Sequence, residues 1–118
     1  MLFRSQAFDP SGRYLREFGR PGDTPGSFAR PKGVAVDAEG HVYVVDAAFS
    51  NVQIFDGEGR LLLAFGSMGR GGGQLWLPEA IHINPEGQVY VVDSVNSRVQ
   101  IFEYLAKASA EPERRMEP

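Results

Sequence analysis

Apolar residues in this chain fall in short runs rather than in helical stripes. "VAVD" (Val34–Asp37), "VYVVD" (Val42–Asp46), "VQIF" (Val52–Phe55) and "LLLAF" (Leu61–Phe65) are four or five residues long and rich in β-branched and aromatic types. Such runs predict strands. Between runs of this kind stand "DPSG", "DAEG", "DGEG" and "NPEG", each closing on a glycine, which is the chemistry of tight turns. "VYVVD" is apolar at both of its alternating sets of positions. A strand built from it needs cover on both faces.

The pattern repeats. Shifting the chain by 47 residues lays "FDPSGRYLREFG" (Phe8–Gly19) on "FDGEGRLLLAFG" (Phe55–Gly66). The same shift lays Gly22, Gly26 and Pro31 on Gly69, Gly73 and Pro78, and "VAVDAEGHVYVVD" (Val34–Asp46) on "IHINPEGQVYVVD" (Ile81–Asp93). "VQIF" falls on a second "VQIF" at Val99–Phe102, and close to half of the aligned positions are identical with no gap. Short strands repeated every 40–50 residues or so, covered on both faces, predict four-stranded β-propeller blades.

These residues also resemble a known family. "PKGVAVDAEGHVYVVD" from Pro31, "NSRVQIF" from Asn96 and "GRLLLAFG" from Gly59 are similar to NHL-repeat propellers, and the resemblance spans nearly all of residues 8–102. The second copy keeps the family's Asn and Arg as Asn96 and Arg98, whereas the first has Phe49 and Asn51 there. The first copy therefore has no counterpart of that arginine. The resemblance implies blades whose strands run from a, innermost, to d, outermost. It gives a weak c near 3–8, d at 13–18, a at 33–37, b at 42–46, c at 51–55 and d at 60–65. The second blade then has a at 80–84, b at 89–93 and c at 98–103. There the repeat stops, because "EYLA" (Glu103–Ala106) replaces the turn "DGEG" and no strand d follows. The expected organisation is two blades within residues 1–105: an orphan outer strand near 13–18, blade one at 33–65 and blade two at 80–103. A polar tail follows at 106–118.

The fold class expected is thus all-β, with two propeller blades per chain. Blade two lacks its outer strand, and the N-terminus carries a spare one. If each copy supplies the strand that another copy lacks, the two ends satisfy each other by β-augmentation. Two blades cannot close a ring, and NHL-type propellers commonly have six, so the expectation is a homotrimer closing one six-bladed ring. Its interfaces would bury on the order of 2,000 Å² or more. A chain that is one piece of a longer propeller would have the same ends.

Composition narrows the rest. The chain has 118 residues and a net charge of −3, which argues against a nucleic-acid partner held by bulk positive charge. With no cysteine, thiolate chemistry and disulfides are excluded. No apolar run approaches the ~20 residues of a membrane span, and "MLFRSQAF" lacks a secretory core. No membrane partner is expected, and the cytoplasm is the default compartment.

Candidate chemistry is sparse. His41 lies in a turn. His82 lies on the innermost strand, where three copies around a channel could hold a metal ion, although packing between blades is the alternative. No other cofactor is indicated. Propeller lyases that amidate peptides use histidines from several blades, a spread absent here. Asp46 and Asp93 end the two b strands and are read as structural acceptors for the next turn, or for Arg98. Asn96, the turn glycines Gly40 and Gly87, and Pro31 and Pro78 are also read as structural. The d–a and b–c loops emerge on one face and carry Arg20, Arg30, Lys32, Arg70, Arg98 and Trp76, a candidate binding face. Asp37, Glu39, Asp56, Glu58 and Glu86 emerge on the other.

The sequence therefore favours a non-enzymatic scaffold that assembles with itself and binds a protein, peptide or small molecule. The alternatives are a propeller-type hydrolase or lyase with a channel metal, and an RNA-binding NHL module.

Overall fold

The computed structural model describes residues 5–8, 10–18 and 27–103. Among them are nine strands in three antiparallel sheets, and no helix. Strands β1 (Ser5–Phe8) and β2 (Tyr14–Phe18) form a hairpin. A four-stranded meander follows, with β3 (Pro31–Val36), β4 (Val42–Asp46), β5 (Asn51–Phe55) and β6 (Leu61–Phe65) paired in sequence order. The last sheet has three strands, β7 (Pro78–Ile83), β8 (Gln88–Asp93) and β9 (Arg98–Glu103). Residues 106–118, expected as a polar tail, lie outside the described residues.

These are sheets of the propeller-blade type, and the 47-residue shift holds at the level of register. Val34 pairs with Val44 and Ala35 with Tyr43; Ile81 pairs with Val91 and His82 with Tyr90. Strand a begins earlier in both copies than the apolar run suggests. Pro31 pairs with Asp46 and Pro78 with Asp93, each across an irregularity before the regular ladder. Proline has no N–H to donate, so it is tolerated at the first residue of a strand. The turns between strands close as their sequences require. Asp37 Oδ1 accepts the N–H groups of Glu39 and His41, both at 2.9 Å. Asn84 Oδ1 accepts that of Gln88 at 2.8 Å.

The two larger sheets pack face to face. Tyr43, Val45, Val52 and Ile54 from the four-stranded sheet join Val89 and Val91 of the three-stranded one in a single buried cluster, bordered by Phe65, Ile81, Ile83 and Phe102. Phe65 meets Phe102 with ring centroids 4.7 Å apart. Gly33 allows β3 to come close to β7: a Cβ there would stand 3.4 Å from the Ala80 Cα. Burial of this apolar surface is the main force holding one sheet on the other. Leu63, the register partner of Ile54, stays exposed. The sheet facing it is one strand narrower, so β6 is incompletely covered. Among the described residues no helix is long and apolar enough to cross a membrane.

Candidate functional site

In both blades the segment leading into strand a is held as a strap across the sheet. Phe28 and Leu75, at matching positions, are both fully buried. Leu75 enters the cluster between the two sheets. Phe28 packs on Val44 and Phe55, on the opposite face of the first sheet. A glutamine in the middle of each strand c fastens the strap: Gln53 Nε2 donates to Ser27 O at 2.9 Å and Gln100 Nε2 to Gln74 O at 2.6 Å. The strap is also tied to the b–c turn. Ala47 N donates to Arg30 O at 2.9 Å and Val95 N to Trp76 O at 3.1 Å.

The aspartates that end the b strands sit at the centre of these anchors, both fully buried. Asp46 accepts from the backbone N–H groups of Ala29 (2.8 Å), Arg30 (3.1 Å to one oxygen), Ala48 (3.0 Å) and Phe49 (3.1 Å). Asp93 accepts from Trp76 N at 2.7 Å, Asn96 Nδ2 at 2.9 Å and Arg98 Nε at 2.8 Å. Burial pushes the Asp93 carboxyl up. The bonds from Asn96, the Trp76 N–H and Arg98, with the Arg98 charge, outweigh burial and hold it below the ordinary carboxylate range. A buried carboxylate gripped by donors from the strap and the turn is a structural anchor.

Arg98 completes that anchor. Besides Asp93, its guanidinium donates to Gly71 O and Gln74 O, both at 2.8 Å. Asn96 Nδ2 also donates to Gly69 O at 2.9 Å. Blade two thus spends Asn96 and Arg98 on holding the loop of residues 67–77, and blade one, with Phe49 and Asn51, holds its strap through backbone donors to Asp46. The two central glutamines hold the strap as well. The sequence does mark them, as the one polar residue inside each "VQIF", but the marking reads as simple alternation.

The expected binding residues separate into groups. Arg70 stacks over the Trp76 ring, 5.2 Å from its centroid, a cation–π contact. Met68, Leu77 and Val95 are exposed on the same loops, beside the Arg98 network. Arg30 and Lys32 are exposed at the strap of blade one. Arg20 lies outside the described residues. His82 is exposed with its ring 6.1 Å from that of Tyr90, on the face of β7 that turns away from the first sheet. Gly40 and Gly87 adopt φ of +87° at the ends of their turns. Asp37, Glu39 and His41 place one ligand atom each within 4.8 Å of one another. The ring of His41 contacts Asp37 Oδ2 at 3.0 Å. Burial raises the Asp37 carboxyl, but the hydrogen bonds from His41 and Glu39 prevail and lower it. The i, i+4 spacing of Asp37 and His41 across a turn was the available signal for that pairing.

Sheet type, strap and buried aspartate define a propeller-blade protein. The NHL repeat family matches at residues 28–55 and 75–102, so this is an NHL-repeat chain with two copies of the repeat. Among solved structures it is similar to one described as "Streptogramin B lyase structure", with a TM-score of 0.57 and 12% sequence identity. The match covers 91% of this chain and 36% of that one, so the chain spans little more than a third of that protein's length. At such identity the likeness is one of fold. No curated protein matches the chain.

Proposed function

We propose that this chain is a non-enzymatic scaffold subunit: two blades of a propeller that closes as a homotrimer with six blades and binds a protein, peptide or small ligand on its loop face or in its channel. The observation that carries the reading is that the chain's two outer faces repeat the two halves of its own buried interface. Tyr43, Val45, Val52 and Ile54 form one half. Their counterparts 47 residues on are Tyr90, Val92, Val99 and Ile101, and Val99 and Ile101 are each 55% exposed. Ile81, Ile83, Val89 and Val91 form the other half. Their counterparts are Val34, Val36, Val42 and Val44, with Val34 at 55% and Val36 at 59% exposure. A head-to-tail contact between copies would therefore recreate an interface already present within each chain. Such a contact closes into a ring when the rotation allows, and it covers apolar surface that is a hazard when left open.

The loop cluster around Trp76, with Arg70 stacked on it and Met68, Leu77 and Val95 exposed nearby, supports ligand binding at that end. It sets a tryptophan and an arginine, types enriched in binding hot spots, among apolar residues that can exclude water around them. Light scattering on the purified chain tests the assembly. A mass three times the 13.0 kDa of one chain is expected, and a stable folded monomer at micromolar concentration would overturn it.

A further inference from the structure

The three-stranded sheet ends on β9, whose outer edge is unpaired among the described residues. The chain itself shows what such an edge takes. In the first sheet β5 pairs with β6 as Val52↔Phe65, Gln53↔Ala64, Ile54↔Leu63 and Phe55↔Leu61, with an irregularity between Ile54 and Phe55. The N-terminal hairpin has the same register, 47 residues earlier. Ser5 pairs with Phe18, Gln6 with Glu17, Ala7 with Arg16 and Phe8 with Tyr14, with the irregularity between Ala7 and Phe8. So β2 is an outer strand, and β1 occupies the edge of β2 that belongs to a strand c.

Strand β9 has the stronger claim to that edge. Its core, Val99–Phe102, reads "VQIF", identical to the β5 segment that pairs with β6. Strand β1 reads "SQAF", which replaces Val and Ile with Ser and Ala, residues that fit a pleated, half-buried surface less well. A further difference is context. β9 is already laddered to β8, whereas β1 and β2 form an isolated two-stranded sheet, a marginal unit by itself.

We propose that β2 of one copy exchanges partners on assembly, leaving its own β1 and pairing with β9 of a second copy as Val99↔Phe18, Gln100↔Glu17, Ile101↔Arg16 and Phe102↔Tyr14. The completed blade then has four strands in the order already present in β3–β6. β1 is a placeholder that keeps the edge of β2 paired in the unassembled chain, which blunts a route to indiscriminate strand pairing. This inference rests on the ring reading above and adds the strand exchange to it.

The chain has no cysteine, so introduced cysteines report pairing without background. Directly opposed residues in an antiparallel pair have their Cβ atoms roughly 4.5–5.5 Å apart, close enough for a disulfide after small adjustment. Phe18→Cys with Val99→Cys should oxidise between chains, giving covalent trimers on a denaturing gel. Ser5→Cys with Phe18→Cys should oxidise within one chain and leave it monomeric, with assembly restored on reduction. Glu17→Cys with Gln100→Cys, and Gln6→Cys with Glu17→Cys, provide a second pair of variants at the adjacent register position if the first perturbs folding. An oxidised Ser5/Phe18 or Gln6/Glu17 variant that still assembles fully would overturn the exchange while leaving the ring intact. A wild-type chain that stays monomeric defeats the ring reading and the exchange with it.

Discussion

Asp93 shows how much one side chain carries. It is fully buried, and its carboxylate gathers the strap through the Trp76 N–H, the b–c turn through Asn96, and the cation of Arg98. Arg98 is 30% exposed and keeps its bonds to Gly71 O and Gln74 O. The main cost of truncating Asp93 is therefore the loss of an acceptor for the Trp76 N–H and the Asn96 amide, about 1–3 kcal/mol for each donor left unsatisfied. Asp93→Ala is therefore expected to lower the urea midpoint of unfolding by an amount corresponding to that loss. That is a large fraction of the roughly 5–15 kcal/mol that typically stabilises a domain. The pH dependence follows from the lowered carboxyl. In the unfolded chain an aspartate titrates near 3.9 or so. A group held lower in the folded state contributes fully above that value, and the contribution is lost as pH falls through the folded pKa. Acid titration of the wild type should show this loss below about pH 4. In Asp93→Asn, which cannot ionise, the acid limb should be flatter; an unchanged slope would mean that Asp93 does not set it.

At the scale of elements, conformation and crowding can be separated by comparing two glycines. Gly40 ends the β3–β4 turn at φ +87°, with nothing within 4 Å of the place a Cβ would occupy. Gly66 follows β6 at φ +98°, where a Cβ would meet Leu75 Cδ1 at 3.0 Å, Ser50 O at 3.1 Å and Asn51 Cα at 3.3 Å. The left-handed conformation costs a residue with a Cβ about 1–2 kcal/mol. Gly40→Ala should cost about that much in thermal or urea unfolding. Gly66→Ala should cost more by a further ~1–3 kcal/mol, the range for overpacking a filled site, since backbone atoms cannot move aside as a side chain can. Equal losses would show that conformation alone matters at Gly66. Most strands were legible in the sequence, because period, turn residues and the internal repeat all agreed; β4, β5 and β9 start and end where the residues say. The early start of β3 and β7 was not, since proline reads as a strand breaker until its lack of a donor is set against an edge that needs none. Nor was the strap network. Gln53 and Gln100 look like ordinary alternation, and only the fold brings them to carbonyls 26 residues away. At the candidate site the pairing of Asp93 with Arg98 was legible in the sequence, whereas the reach of the guanidinium to the carbonyls of Gly71 and Gln74 was not, because the fold alone brings that loop to the start of β9.

On the scale of the whole molecule, one substitution made at two equivalent positions distinguishes a buried face from an assembling one. Ile54 and Ile101 have the same neighbours in sequence and the same place in strand c, but Ile54 is 3% exposed and Ile101 is 55% exposed. Within a single chain, a glutamate at Ile54 would put an unpaired carboxylate among Tyr43, Val45 and Val52, whereas at Ile101 it would stand in solvent. Burying a charge without a partner is met by neutralisation or by unfolding, so Ile54→Glu should unfold the chain or bring its thermal transition well below that of the wild type. Ile101→Glu should leave the far-ultraviolet circular dichroism and thermal transition of the dilute single chain unchanged. If the outer faces meet as the inner ones do, Ile101→Glu places that same carboxylate in the interface between copies. Light scattering should then give a folded monomer, with the trimer recovered by Ile101→Val, which keeps an apolar β-branched residue at the site. Were Ile101→Glu to assemble like the wild type, the exposed face of blade two would not be the joining surface. The internal interface would then have no counterpart between chains.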